Sequence, residues 1–188
     1  MKTVAVIEGF AGGPYLSRTL RRDLVGAGFE LIKNKAEANV IIAHSGGCYD
    51  LPPASNAQLF MLINPPYWPN KSIVSRWIRK EGADTKRVRR DYGFRYLLKL
   101  KVWEGIYIFL KPSYALLALR DMSLTGLLDH IRERKIILIR NHMDYFCTPA
   151  IKEELTSYKN VKYVELPGEH DDYYTNPKPY IDLLLKEL

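Results

Sequence analysis

Ser45 closes the run Asn39-Val-Ile-Ile-Ala-His-Ser-Gly-Gly-Cys48, in which an apolar strand breaks straight into a serine flanked by small residues. A serine hydroxyl is a poor nucleophile unless the backbone exposes it beside a base and hydrogen-bond donors for the developing oxyanion. Ala43, Gly46 and Gly47 leave room for a tight turn that could do this, although a serine among glycines also serves as an ordinary loop. Two further groups complete the chemistry. Asp144 lies in Asn141-His-Met-Asp-Tyr145 and His170 in Pro167-Gly-Glu-His-Asp171. A histidine can take the serine proton, and a carboxylate can fix the imidazole tautomer. Asp171 and Asp172 compete with Asp144 for the acid role, but they flank the histidine and point away from it more easily.

Each of these residues follows an apolar run that reads as a strand. Thr3–Ile7 is a continuous apolar run, as expected of a strand buried on both faces, and Phe29–Ile32, Asn39–Ala43, Gln58–Ile63, the Ile136–Ile139 stretch within Lys135–Arg140, and Val161–Leu166 read as further strands. Helical signals alternate with them. Pro14 suits a first helical position before Leu16, Leu20 and Leu24, and Gly26 and Gly28 end that helix. Ser123 caps a helix running to about Arg132, Thr148-Pro149 starts another, and Pro179–Leu188 is the last. After Ser45, Pro52 and Pro53 allow either a short turn or a delayed helix at Ser55–Leu59. This alternation predicts an α/β fold: a three-layer, doubly wound, mainly parallel sheet with helices on both faces. Ligands gather at the carboxyl ends of such strands, where Ser45, Asp144 and His170 all arrive.

The order serine, acid, histidine, each after a strand, resembles the α/β-hydrolase family in a compact version with few strands. The resemblance implies Ser45 as nucleophile, Asp144 as acid and His170 as base, with no metal and no organic cofactor. It also implies backbone oxyanion donors at Gly46 and in the loop after the first strand, at Phe10. Against the family pattern, Ala43 replaces the first glycine, Glu8 stands where many relatives have histidine, and Asn141 stands where glycine often precedes the acid by three. The activity implied is cleavage of a small-molecule acyl ester or related acyl bond through an acyl-Ser45 intermediate. A non-catalytic binding protein on the same scaffold is the alternative.

The core is expected in residues 1–66 and 121–188, with 67–120 an inserted helical cap. Within the insert, Ile73, Val74, Trp77 and Ile78 share one helical face, and Tyr92, Tyr96, Leu100 and Trp103 form another stripe. Tyr67 and Trp68 are available to line an acyl pocket. The charge concentrates here. Between Lys71 and Lys111 twelve basic residues face four acidic ones, a local +8 in a chain of net charge +7. Solvated helix faces, an anionic substrate or a membrane surface each explain that charge; ten aromatics between Tyr67 and Tyr114 among the basic residues could suggest single-stranded nucleic acid, which is the weakest of these readings.

Two alternatives are set aside on spacing. Gly9-Phe-Ala-Gly-Gly13 could cradle a phosphate, but it misses the dinucleotide fingerprint and no P-loop lysine follows. Cys48 and Cys147 form neither a metal spacing nor a disulfide framework, and read as small fillers in a reduced, cytoplasmic setting. No apolar run approaches the roughly 20 residues that span a bilayer.

Overall fold

A computed structural model describes residues 1–9, 17–52, 54–67, 86, 89–90, 93–110, 123–144 and 146–188. The chain divides into two compact units, one formed by Met1–Trp68 with Met122–Leu188 and the other by Pro69–Asp121. In the first unit the strands are β1 (Thr3–Ile7), β2 (Glu30–Leu31), β3 (Val40–His44), β4 (Leu59–Ile63), β5 (Lys135–Asn141) and β6 (Val161–Leu166). They form one sheet in the order β2-β1-β3-β4-β5-β6, and every pairing is parallel. The helices of this unit are α1 (Arg18–Gly26), α3 (Leu124–His130), α4 (Ile151–Glu154), α5 (Asp172–Thr175) and α6 (Lys178–Glu187).

The central strands β1, β3, β4 and β5 are apolar on both faces because both are covered. Ala5, Ile7, Ile41, Phe60, Leu62, Ile136 and Leu138 face one core with Leu124 and Leu128 of α3 and Ile151 of α4. The alternate residues Val4, Val6, Val40, Ile42, Met61, Ile137 and Ile139 face the other, with Leu20 and Leu24 of α1, Tyr173 of α5 and Ile181 and Leu184 of α6. This period-2 division between two helical layers makes the three-layer, doubly wound architecture.

The second unit contains α2 (Phe94–Leu110), preceded by Gly93 at φ 81°. The helix runs through Gly105, which interrupts the sequence pattern without breaking the backbone. The proposed helical face at Ile73–Ile78 lies outside the described residues, as do Tyr92 and the side chains of Tyr96, Leu100 and Trp103. Among the described residues no helix is long and apolar enough to cross a membrane.

Two local expectations are corrected. No helix forms over Ser55–Leu59. Ala57 N–H bonds the Ser55 hydroxyl in a local turn, and Leu59 already pairs with Val40 and Lys135 as the first residue of β4. Thr148 does not cap a helix: its hydroxyl donates to the Tyr67 carbonyl at 2.9 Å, and α4 begins only at Ile151.

Candidate active site

The end of β3 is the focus of the carboxyl edge. Val40 to His44 are buried, and the chain then turns into a short 3₁₀ segment, Ser45–Tyr49, with Ser45 itself at φ 52°. A non-glycine residue in the left-handed region costs about 1–3 kcal/mol and persists only where its surroundings enforce it. Here the enforcement comes from β1. A Cβ on Gly47 would stand 2.5 Å from the Glu8 carbonyl oxygen and 2.9 Å from that of Ile7. A Cβ on Gly9 would stand 2.7 Å from Ser45 Cβ. The turn after β3 and the exit from β1 are therefore pressed together through two glycines, with no space for a side chain at either.

Glu8 uses its position differently from the histidine of the family pattern. Its carboxylate accepts from the Ser17 hydroxyl at 2.6 Å and from Arg21 Nη2 at 2.5 Å. Ser17 is fully buried and also accepts from Arg21 Nε. These contacts tie the start of the loop after β1 to the start of α1.

Asp144 and His170 are brought together. Asp144 Oδ2 and His170 Nδ1 are 2.5 Å apart, and both side chains are buried. Asp144 Oδ1 accepts from the backbone N–H groups of Phe146 and Cys147 at 2.6 and 2.7 Å. Burial pushes this carboxyl up, but His170 and the two amides outweigh it, so its pKa lies below the usual aspartate value. The loop carrying Asp144 is held from beneath by Arg140, which donates to the carbonyls of Cys147 and His142 at 2.8 and 3.0 Å. With Nδ1 engaged, Nε2 is the imidazole nitrogen left for proton transfer. No hydrogen bond joins Ser45 Oγ to His170 in the resting structure. Such contacts commonly tighten only when substrate binds.

His44, the residue before the serine, is 2% exposed. Burial first, and then the charge of His170, lowers its pKa to about 3, so it is neutral. Its Nε2 lies 2.9 Å from the His170 carbonyl oxygen, which can only accept, so Nε2 carries the proton. Its ring stacks on Tyr173 at 4.7 Å. His142 is exposed and pairs with Glu165 at 3.1 Å.

The remaining sequence candidates are placed as follows. Gly46 is buried in the 3₁₀ turn directly after Ser45. Phe10 and Trp68 lie outside the described residues. The Tyr67 hydroxyl donates to Glu154 at 3.0 Å, while its backbone N–H and carbonyl bond the segment just after Asp144. Tyr67 thus buttresses the acid loop. Cys48 and Cys147 are free thiols with no solvent exposure, and burial raises the pKa of both. His44, His170 and Asp171 are the described residues whose types could hold a metal, with donor atoms within 4.8 Å of one another. One nitrogen of each ring is already committed, to the His170 carbonyl and to Asp144.

Sequence reasoning missed Asn64 and Asn141, both with no solvent exposure. The signal for Asn64 was present: it is the first residue after β4, and the polar residue after each strand is the one to inspect.

No protein-family model matches the sequence, and no curated sequence matches it. Solved structures do. An enol-lactonase from Burkholderia xenovorans LB400 superposes with a TM-score of 0.67 at 16% identity, over 98% of this chain and 90% of that one. A structure from a study of carboxylesterases of the thaumarchaeon Nitrososphaera gargenis gives 0.65 at 14% identity, over 98% and 89%. A hydrolase from Oleispira antarctica gives 0.63 at 12% identity, over 100% and 92%. The chain has the α/β-hydrolase fold.

Proposed function

We propose that this protein is a serine hydrolase that cleaves a small acyl ester or related acyl bond. The observation that carries the reading is the buried Asp144–His170 pair at the sheet edge where Ser45 is held at φ 52°. The fold is one on which a lactonase and carboxylesterases are built, which supports acyl chemistry as the class.

In this mechanism Ser45 Oγ attacks the acyl carbonyl carbon as its proton passes to His170 Nε2. Asp144, already ionised, stabilises the imidazolium that forms and keeps Nδ1–H pointing at itself. The carbonyl oxygen becomes an oxyanion, received by backbone N–H groups at Gly46 and Phe10, each such donor worth about 3–4 kcal/mol in the transition state. Collapse breaks the bond to the leaving group, which takes the proton from His170 and leaves an acyl-Ser45 ester. Water repeats the cycle: His170 removes its proton, the hydroxide oxygen bonds the acyl carbon, and the acid departs as Ser45 regains its proton. The net basic charge carried by residues 67–120 favours, in this reading, acyl substrates that are themselves anionic.

The test is turnover of a panel of p-nitrophenyl esters, neutral and carboxylate-bearing, by the wild type and by Ser45→Ala. Hydrolysis by the wild type that disappears in the variant supports the reading. Equal rates in the two, or no turnover of any ester, overturns it.

A further inference from the structure

The inference concerns how the base is held, and it rests on the reading of His170 as general base. The side chain of His170 has one buried anchor, Asp144. Its main chain has two. The His170 carbonyl oxygen accepts from His44 Nε2 at 2.9 Å and from Asn64 Nδ2 at 2.9 Å, which satisfies both of its lone pairs. All three residues are buried, and His44 and Asn64 stand at the ends of adjacent strands, His44 immediately before Ser45.

Asn64 is fixed in turn. Its Oδ1 accepts from the Asn141 backbone N–H at 2.7 Å, and its own N–H bonds the Ile139 carbonyl at 2.8 Å. The amide orientation follows from this: a backbone N–H can only donate and the His170 carbonyl can only accept, so oxygen faces the first and nitrogen the second. Asn64 holds this pose at φ 50°, a conformation that asparagine tolerates better than most residues. Asn141 continues the chain of bonds. Its Nδ2 donates to the Glu169 carbonyl at 2.5 Å, and its amide exchanges hydrogen bonds with the Tyr180 hydroxyl at 2.7 and 2.9 Å. Glycine, frequent three residues before the acid in the family pattern, has no side chain with which to make these bonds.

The geometry points to Asn64 and Asn141 as positioning residues for the general base: their amides key the main chain of the His170 loop to the ends of β4, the neighbour of the strand that carries Ser45, and of β5, the strand that leads to Asp144. Two consecutive carbonyls of that loop, of Glu169 and His170, are thereby held by the two amides. A rigid peptide here fixes where the imidazole pivots, so that Nδ1 stays on Asp144 and Nε2 stays available for the serine. Buried amides of this kind are costly unless fully paired, and these two are paired at both ends.

The experiment measures the rate of fluorophosphonate labelling, comparing wild type with Asn64→Gly and Asn141→Gly, together with Michaelis kinetics on a p-nitrophenyl ester. Glycine accepts the φ of Asn64 and removes only the side-chain bonds. For each glycine variant the expected result is a labelling rate constant and kcat reduced about 10- to 100-fold, with KM little changed. A purely structural role would lower the fraction of protein that labels, measured by intact mass, while the labelled fraction keeps the wild-type rate constant. That outcome overturns the inference, as does wild-type behaviour throughout. Wild-type protein that fails to label at Ser45 overturns the serine-hydrolase reading itself.

Discussion

The two ends of the sheet are built from different materials. The buried polar and charged residues among the described ones, Ser17, His44, Ser45, Asn64, Arg140, Asn141, Asp144 and His170, lie at or beside the carboxyl end. At the amino end the charges are ion pairs at the surface. Lys135 and Lys162 share Glu187, and the two lysines are about half exposed. Leaving a buried polar group unpaired costs about 1–3 kcal/mol, whereas an exposed ion pair contributes about 0–1 kcal/mol. A chain selected for stability alone has no reason to gather eight such groups at one end. Their concentration is what the proposed activity at this end requires, and the amino end should tolerate change with little consequence.

Substitutions that break the contrast should do so unequally. Asp144→Asn comes first. It removes the ionised acceptor of His170 and should lower kcat on a p-nitrophenyl ester about 10⁴-fold. The same variant carries a pH signature. Because folding depresses the Asp144 pKa, its stabilisation is present above the unfolded aspartate pKa of about 4 and is lost as pH falls through the lower folded value. Denaturant midpoints of wild type and variant should therefore converge on acidification, and a gap that widens below pH 4 would contradict this.

Next are Gly9→Ala and Gly47→Ala. The added methyl would press on Ser45 Cβ in the first and on the Glu8 and Ile7 carbonyls in the second. Each should cost about 100-fold in kcat, and Gly47→Ala, which meets backbone, should also lose about 1–3 kcal/mol in urea denaturation. Arg21→Ala leaves Glu8 without its cation and should cost about 1 kcal/mol with a smaller fall in kcat. Lys162→Ala, at the opposite end, should stay within about 0.5 kcal/mol of wild type and leave kcat unchanged. A large kinetic effect there would dissolve the contrast between the ends.

The buried thiols sharpen it from another side. Cys48 and Cys147 lie beneath the active edge, with burial raising both thiol pKa values. Neither should react with a thiol reagent in native protein at pH 8, and both should react in denaturant. Rapid modification of the native protein would show an accessible route into this layer.

What could be read in the sequence follows the same division. Continuous apolar runs specified β1, β3, β4 and β5 to within a residue or two, since a strand buried on both faces admits little else. Of the two edge strands, β6 kept its expected length, while β2 shrank to Glu30–Leu31. β5 gained Asn141 because it pairs with Leu166 in the neighbouring strand, a contact invisible from local pattern. Ser45, Asp144 and His170 could be proposed from residue type and order, and the fold brings Asp144 and His170 into contact. Asn64 carried only the weak signal of a polar residue after a strand, and only the fold shows that its amide and that of Asn141 converge on one loop. The Thr148 cap failed for a related reason. Its hydroxyl is turned to the carbonyl of Tyr67, far away in sequence.

The central claim is that Ser45 is the nucleophile activated by His170, and covalent trapping tests it most directly. Native protein incubated with a fluorophosphonate near pH 8 should gain the mass of one adduct, and peptide mapping should place it on Ser45, with Ser45→Ala unmodified and His170→Ala labelled far more slowly. An adduct on another residue, or equal labelling of wild type and Ser45→Ala, would contradict the account.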